Sequence, residues 1–328
     1  MNAYSGPFLA VTSERGASAA IDDVAGDPSH SFLRAAWFGG AERTLVVRRG
    51  GRPVAALPLV KRRPLLSEVP GSYWPFRSFP VAEDVRGDEM AALLRAAPAV
   101  WRMGPVREDD PTLLRLAAAA REAGVAMLRR ALGTTYVLDL AGREGWPSGS
   151  TLKKNRWFEK KLAEDGALRF ETVYGGDGAL YDALAEVERN SWIARDTDAK
   201  DAKFLAPHHR ACWERAAADP AIAVRMRVTL MRIGERPAAF VFALEAGETL
   251  SIVANSYDER FARHSPGRVL IYRELQRAVE AGFTEVDWGA GDPGYKSAIG
   301  AVPGAEIVDC LFVRSRVVAA ALRRVWER

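Results

Sequence analysis

Asp287 and Lys296 are the two side chains whose type and spacing invite chemistry first. Asp287 stands near the end of an apolar run, Phe283–Trp288, and Lys296 closes the glycine-rich stretch that follows it, Gly289–Lys296 (GAGDPGYK). A carboxylate at a strand end can orient an amine nucleophile, or accept its proton if burial raises its pKa. It can equally pair with an arginine or cap the loop. A compact ammonium can stabilise negative charge on a reacting carbonyl or hold a donor phosphate; it can also be an ordinary surface lysine. Upstream lies Ser265-Pro266-Gly267. Serine is a good N-cap, proline fits the first helical turn, and glycine crowds nothing. Free backbone N–H groups at such a helix start make an anion site, suited to a pyrophosphate or another phosphorylated donor. Arg263, His264 and Arg268 add positive charge there. The same three residues would serve merely to cap a helix.

Two further stretches carry candidates. Thr151–Ala163 (TLKKNRWFEKKLA) reads as a helix with Leu152, Phe158 and Leu162 on its apolar side. Lys153, Lys154, Arg156, Lys160 and Lys161, against Glu159, give it a local charge of +4. That surface can grip phosphates or be a solvated face. Glu186–Asp196 (EVERNSWIARD) continues a helix from Tyr181, with Leu184, Val187 and Trp192 directed inward. Glu186 and Glu188 are candidate general bases, though neither stands out among helix glutamates.

Other chemistries find little support. His208-His209 is the only histidine pair, and adjacent helical residues point to different faces, so no metal site is expected. There is no HExxH, no GxSxG and no Cys/His cluster; Cys212 and Cys310 lack metal-type spacing and suggest no disulfide. Gly289-Ala290-Gly291-Asp292-Pro293-Gly294 satisfies G-x-G-x-x-G, but a dinucleotide site needs a long helix next. Gly300, Pro303 and Gly304 interrupt, and an apolar strand, Glu306–Val313, follows too soon.

The elements that must position these residues are strand, turn, helix, strand, loop. Leu250–Tyr257 is apolar and β-branched enough for a buried strand. The helix after Pro266 buries Ile271, Leu275, Ala278 and Val279, leaves Arg273, Glu274, Arg277 and Glu280 off that stripe, and stops at Gly282. Phe283–Trp288 is the return strand. In the first half, Thr44–Val60 is a hairpin about Gly50-Gly51, Pro64–Val81 an irregular aromatic loop, Asp88–Ala97 a helix and Val100–Val106 a strand. Pro111–Ala123 is a helix ended by Gly124, and Tyr136–Leu140 a strand; Asp27-Pro28-Ser29 reads as a helix start. Val224–Ile233 and Ala238–Glu245 make a hairpin around Gly234–Pro237 that echoes the first one. The order suggests two copies of one α/β unit joined by Ala141–Ser150.

Composition agrees with a globular chain: 328 residues, 48% hydrophobic, 27% charged, net charge +4. Half of its eight lysines fall within Lys153–Lys161, and that local field matters more than the global charge. No apolar run is long enough to span a bilayer, and the start lacks the basic and apolar segments of a signal peptide, so a cytoplasmic protein is expected.

SPG before an amphipathic helix, then EVDWG…GYK on the next strand and loop, resembles the CelD-like acyltransferases of the GNAT superfamily, relatives of the Fem-type transferases. Ser150–Arg156 and Ser191-Trp192 extend the resemblance upstream, so it covers most of 135–300. It implies an α/β (α+β) fold of tandem GNAT-like domains, each a mixed, mostly antiparallel sheet flanked by helices. Residues 1–140 would be a degenerate first copy, 141–150 a linker and 151–328 the acyltransferase domain. The implied activity is acyl transfer, acetyl by expectation, from acyl-CoA to an amine by direct attack on the thioester. Ser256, Arg263, Ser265, Gly267 and Arg268 would hold the donor. Trp192, Tyr257, Tyr295, Lys153 and Arg156 would stand on the substrate side, with Asp287 and Lys296 catalytic. The acceptor is expected to be a small-molecule or cell-envelope precursor amine. One departure is plain: Arg263–Gly267 lacks the Q/R-x-x-G-x-G/A glycine spacing of an acyl-CoA loop. Aminoacyl-tRNA, gripped by the 153–161 helix, is the alternative donor; a non-catalytic scaffold in polysaccharide assembly is the other reading.

Overall fold

Two apolar runs on either side of Gly50-Gly51 lay down the first hairpin, and both glycines take the positive φ that such a tight turn requires (55° and 87°). The computed structural model describes residues 9–24, 32–72, 77–143, 145–197, 200 and 202–327. The expected helix start at Asp27-Pro28-Ser29 and the aromatic stretch Tyr73–Phe76 lie outside them. The chain forms two compact units, Met1–Thr135 with Gly304–Arg328, and Tyr136–Pro303.

The first unit runs β1 (Leu9–Arg15), α1 (Ala20–Val24), β2 (Arg43–Arg49), β3 (Arg52–Arg63), β4 (Leu66–Glu68), α2 (Gly87–Ala96), β5 (Val100–Arg107), α3 (Pro111–Ala123) and into β6 (Ala126–Asp139). Gly124, in the left-handed region, ends α3 as expected. Two elements differ from expectation. A short strand, β4, lies inside the presumed aromatic loop and pairs parallel with β5. β6 begins ten residues before Tyr136; Arg129, Arg130 and Gly133 had broken the apolar pattern there.

The second unit continues with α4 (Gly149–Glu164), β7 (Leu168–Tyr174), α5 (Gly178–Arg189), α6 (Trp192–Thr197), α7 (Pro207–Ala217) and α8 (Pro220–Ala223). β8 (Met226–Ile233), β9 (Arg236–Ala246), β10 (Thr249–Tyr257), α9 (Pro266–Glu280), β11 (Glu285–Ala290) and α10 (Tyr295–Ile299) follow. β12 (Val302–Val313) and α11 (Arg316–Trp326) end the described chain. From Gly304 onward that last stretch packs in the first unit, not with the second half as the sequence suggested. β12 pairs antiparallel with β5, from Ile307↔Arg107 to Val313↔Val100, and Trp101 stacks on Phe312 at 4.2 Å.

In the second unit, β7 to β10 form antiparallel neighbours in the order β10-β9-β8-β7, and β11 joins β10 in parallel. β9 is buried on both faces. Ala239, Val241 and Ala243 join the core shared with α9, while Phe240 and Phe242 meet Phe204, and Phe242 also meets Trp213. The edge strand β7, exposed at most positions, gave no alternation to read. Each unit thus has a mixed, mostly antiparallel sheet with helices, in keeping with the α/β (α+β) expectation.

Two helices are wider or shorter than their sequence pattern implied. α9 buries Val269, Leu270, Ile271, Tyr272, Glu274, Leu275 and Ala278. Glu274, expected off the stripe, is 1% exposed because Arg227 is buried with it: Arg227 Nη2 lies 2.7 Å from Glu274 Oε1. Thr229 Oγ1 donates to the other oxygen at 2.8 Å. The expected helix through Trp192 is instead two, α5 and α6. It breaks at Asn190-Ser191, where Ser191 Oγ donates to the Glu188 carbonyl and accepts from Ile193 N–H.

Candidate active site

β10 and β11 are paired over Thr249–Ser251 with Glu285–Asp287, and β10 then runs on to Tyr257. A register shift against β9 between Ile252 and Ala254 marks an irregularity in β10 where the parallel pairing has ended. α9 follows β10 and precedes β11, so its N-terminus, the far half of β10 and the loop after β11 form one end of the second unit.

At the helix start, Ser265 occupies the N-cap position in the left-handed region, φ 48°, and its hydroxyl makes no cap hydrogen bond. The serine cap is therefore absent; Ser265 contributes its carbonyl, which accepts from Val269 N–H at 3.1 Å. Pro266 has no N–H, and Gly267 and Arg268 have no carbonyl one turn back within the helix, so two N–H groups are left at the end of a fifteen-residue helix. Gly267 does more than leave a helix start open. A Cβ there would meet Tyr257 Cδ1 at 2.9 Å, so the absent side chain makes room for the tyrosine ring. Arg263 pairs with Asp165 at 2.7 Å, and Arg268 Nε donates to Asn155 Oδ1 at 3.0 Å while its guanidinium lies over Tyr272. Arg268–Asn155, and Arg273–Glu159 at 2.7 Å, lace α9 to α4, and Arg263–Asp165 joins the turn before α9 to the residue after α4. Asn155, buried at the centre of α4, was not legible as a site residue; Lys153, Lys154, Arg156 and Lys160 around it are exposed and without ion pairs among the described residues.

The loop after β11 is built around Lys296. The residue is 5% exposed, and its ammonium donates to the carbonyls of Trp288 (3.0 Å), Ala290 (3.2 Å) and Gly291 (2.5 Å), with Gly289 at 3.4 Å. Burial pulls its pKa down to about 8, against the opposing pull of Asp287 and Asp292. Asp292 accepts from Gly294 N–H (2.7 Å), Lys296 N–H (3.1 Å) and Ser297 N–H (3.1 Å), and from the Ser297 hydroxyl. The serine hydroxyl first, then these N–H groups, hold its carboxyl below the usual range. Asp287 is 2% exposed and accepts from Gly289 N–H at 2.7 Å, so it fixes the first turn of the loop.

One contact reaches across. Asn255 Nδ2, on β10, donates to Tyr295 Oη, on α10, at 3.0 Å. Burial raises the Tyr295 pKa, so its hydroxyl keeps its proton. An amide inside an apolar strand was the available signal for Asn255, because strands otherwise disfavour it. Ser256 Oγ and Trp288 Nε1, on β10 and β11, are buried without a hydrogen-bond partner among the described residues, as is His264 Nδ1 beside the helix start. Unsatisfied buried polar atoms are rare, and these are groups a bound donor or acceptor could satisfy.

Asn255, Tyr257, Gly267, Asp287, Tyr295 and Lys296 thus sit on contiguous elements. Trp192 does not join them through any hydrogen bond or ring contact among the described residues, and it is 40% exposed instead of facing inward. Glu188 is structural: its carboxylate accepts N–H groups of Lys203, Phe204 and Leu205 at 2.7–2.8 Å, and burial raises its pKa. Glu186 is half-buried and lies at the electrostatic margin of Arg260. His209 Nδ1 pairs with the Ala202 carbonyl, and among the described residues no group of three or more His, Cys, Asp or Glu could hold a metal. Cys212 and Cys310 are both buried, and neither forms a disulfide among the described residues. Among the described residues no helix is long and apolar enough to cross a membrane.

Residues 149–297 match the family model for the acetyltransferase (GNAT) domain. Among solved structures, the chain is similar to the C-terminal domain of a protein assigned as a lysylphosphatidylglycerol synthetase from Agrobacterium fabrum. The identity is 18%, 92% of each chain is covered, and the TM-score is 0.55. It is also similar to L-PGS from Bacillus licheniformis (15% identity, 96% and 99% covered, TM-score 0.56) and to FemX (13% identity, 86% and 90% covered, TM-score 0.56). At these identities the likeness is one of fold. No curated protein matches the chain.

Proposed function

We propose that the second unit transfers an acyl group, acetyl in the simplest case, from acyl-CoA to an amine. The observation that carries this reading is the parting of β10 from β11 with the N-terminus of α9 between them in sequence. Gly267 and Arg268 N–H would hold the donor's phosphates, with His264 and the guanidinium groups of Arg263 and Arg268 alongside. Backbone N–H groups near Ser256, beyond the β10 irregularity, would take the acyl carbonyl oxygen. The amine nitrogen bonds to the acyl carbon as the carbon–sulfur bond breaks. The amine's proton leaves by solvent or a buried carboxylate, and the Tyr295 hydroxyl holds a proton for the departing sulfur. Tyr257 would pack on the donor's arm. Lys296 and Asp287, both engaged with the loop backbone, act by holding that loop in place. Positioning would supply most of the acceleration. Residues 1–140 would be the degenerate copy, completed by the returning strand β12.

A second reading, aminoacyl-tRNA as donor, is favoured by one observation: Lys153, Lys154, Arg156 and Lys160 are exposed and without ion pairs among the described residues on α4, which is bonded to the start of α9. Native mass spectrometry and salt titration separate the two. Acyl-CoA should bind one to one with a shallow salt dependence that survives Lys153, Lys154, Lys160 and Lys161→Gln. A tRNA donor should show a steep log–log salt slope that the same variant flattens. The second pattern alone would replace the first reading.

A further inference from the structure

α11 is a helix with two apolar faces, and the fold uses only one. Ala319, Leu322 and Trp326, spaced three and four apart, pack on Leu128, Leu311 and Val313. On the outer side Val317, Val318 and Val325 are 81%, 41% and 74% exposed. Arg316 and Arg324 flank them, exposed and without ion pairs among the described residues, while Arg323 pairs with Glu327 at 3.5 Å. The patch continues onto the β3–β4 turn. Leu66 belongs to the same cluster as Leu322 and Trp326; the preceding Leu65 is 84% exposed, and Lys61, Arg62 and Arg63 lie just before it in the chain. At the other end Arg314 N–H bonds the Ala99 carbonyl at 2.9 Å, and its guanidinium ties to the carbonyls of Arg95 and Ala97. These contacts hold the helix rigidly against the first unit.

We infer that this face docks on an anionic lipid surface. Charge complementarity selects the partner. Arg314, Arg316, Arg323 and Arg324 outnumber Glu327 on and beside the helix, and Lys61 and Arg63 extend the basic rim, while Arg62 pairs with Glu68 at 2.6 Å. A bilayer of anionic headgroups offers many negative charges in a plane, together with an apolar interior for shallow insertion of valines. That is the physics of a helix lying in the membrane interface. The helix is about 16 Å long, and its small outer side chains suit the headgroup boundary, not a deep anchor. A protein partner would more commonly find aromatic anchors in such a patch; here the outward apolar side chains are valine, alanine and leucine. The inference is independent of the transfer reaction.

The test is flotation of the full chain with phosphatidylcholine vesicles, with and without phosphatidylglycerol. Binding should require phosphatidylglycerol and weaken with salt. It should fall about fivefold for each of Arg316→Gln and Arg324→Gln, and be lost in Val317→Asp/Val325→Asp. Both valines are exposed, so circular dichroism should show that double variant folded. Leu114→Asp, at an exposed leucine of α3, should bind as wild type. Absence of binding to phosphatidylglycerol vesicles would overturn the inference, as would equal loss in Leu114→Asp. So would self-association by sedimentation, abolished in the valine variant, without vesicle binding; the face would then belong to a second copy of the chain.

Discussion

Replacing Lys296 by methionine keeps the length of the side chain and removes its ammonium. In the structure that ammonium faces four backbone carbonyls, three of them within 3.2 Å. An ammonium has three N–H donors, so three bonds is also the most it can make fully. Hydrogen bonds to a charged group contribute about 1.5–3 kcal/mol each. Against this, burying the charge costs enough to pull its pKa to about 8, so the bonds cannot count at full value. A net loss of about 2–3 kcal/mol on Lys296→Met is the resulting expectation. Urea unfolding measures it, and hydrogen exchange of the 289–294 amides should speed up locally. Because the loop carries Tyr295, kcat/KM should fall at least about tenfold, or about 1.4 kcal/mol of transition-state stabilisation. A pH arm checks the same cage. The folded pKa lies below the usual 10.5, so between about 8 and 10.5 the unfolded chain binds more protons. Wild-type stability should therefore rise with pH through that window relative to Lys296→Met, and the gap between them should widen. Unchanged stability with activity lost would refute the reasoning; the ammonium would then be acting on substrate.

Three other perturbations follow from the same site. Arg227→Met leaves Glu274 buried without its cation and should cost about 3–5 kcal/mol by urea unfolding, most of it recovered in Arg227→Met/Glu274→Met. Asn255→Ala removes the bond to Tyr295 and should cost only about 1 kcal/mol in stability while lowering kcat more than it raises KM. Gly267→Val drives a side chain into the Tyr257 ring and should cost about 1–3 kcal/mol by overpacking, with weaker acyl-CoA binding by calorimetry; unchanged affinity would remove the helix start from the donor site.

The sequence made the β10–α9–β11 succession legible because each element is long and regularly patterned, and Pro266 and Gly282 punctuate the helix. Asp287 and Lys296 also stood out, by type and by isolation. Their roles did not. A lysine whose donors point back at its own loop looks, in one dimension, the same as one that reaches a ligand. Glu274 read as lying off the buried stripe and Glu188 as a candidate general base, since their partners are distant in sequence: Arg227 for one, three N–H groups of 203–205 for the other. Trp192 misled for the opposite reason. Helical spacing predicted an inward face, but the chain breaks at Ser191 and the tryptophan begins a new helix. The return of β12 to the first unit depends on pairing with β5, two hundred residues away along the chain, which no local pattern reports.

The proposed function places acyl-CoA across the end of β10, the start of α9 and the 288–296 loop. Hydrogen exchange of the full chain with and without acetyl-CoA tests it most directly. Slowed exchange is expected at the Gly267 and Arg268 amides, around Ser256 and in the loop held by Lys296, with no protection at the exposed face of α4. Protection confined to α4, or no protection at the start of α9 under saturating acetyl-CoA, would contradict it.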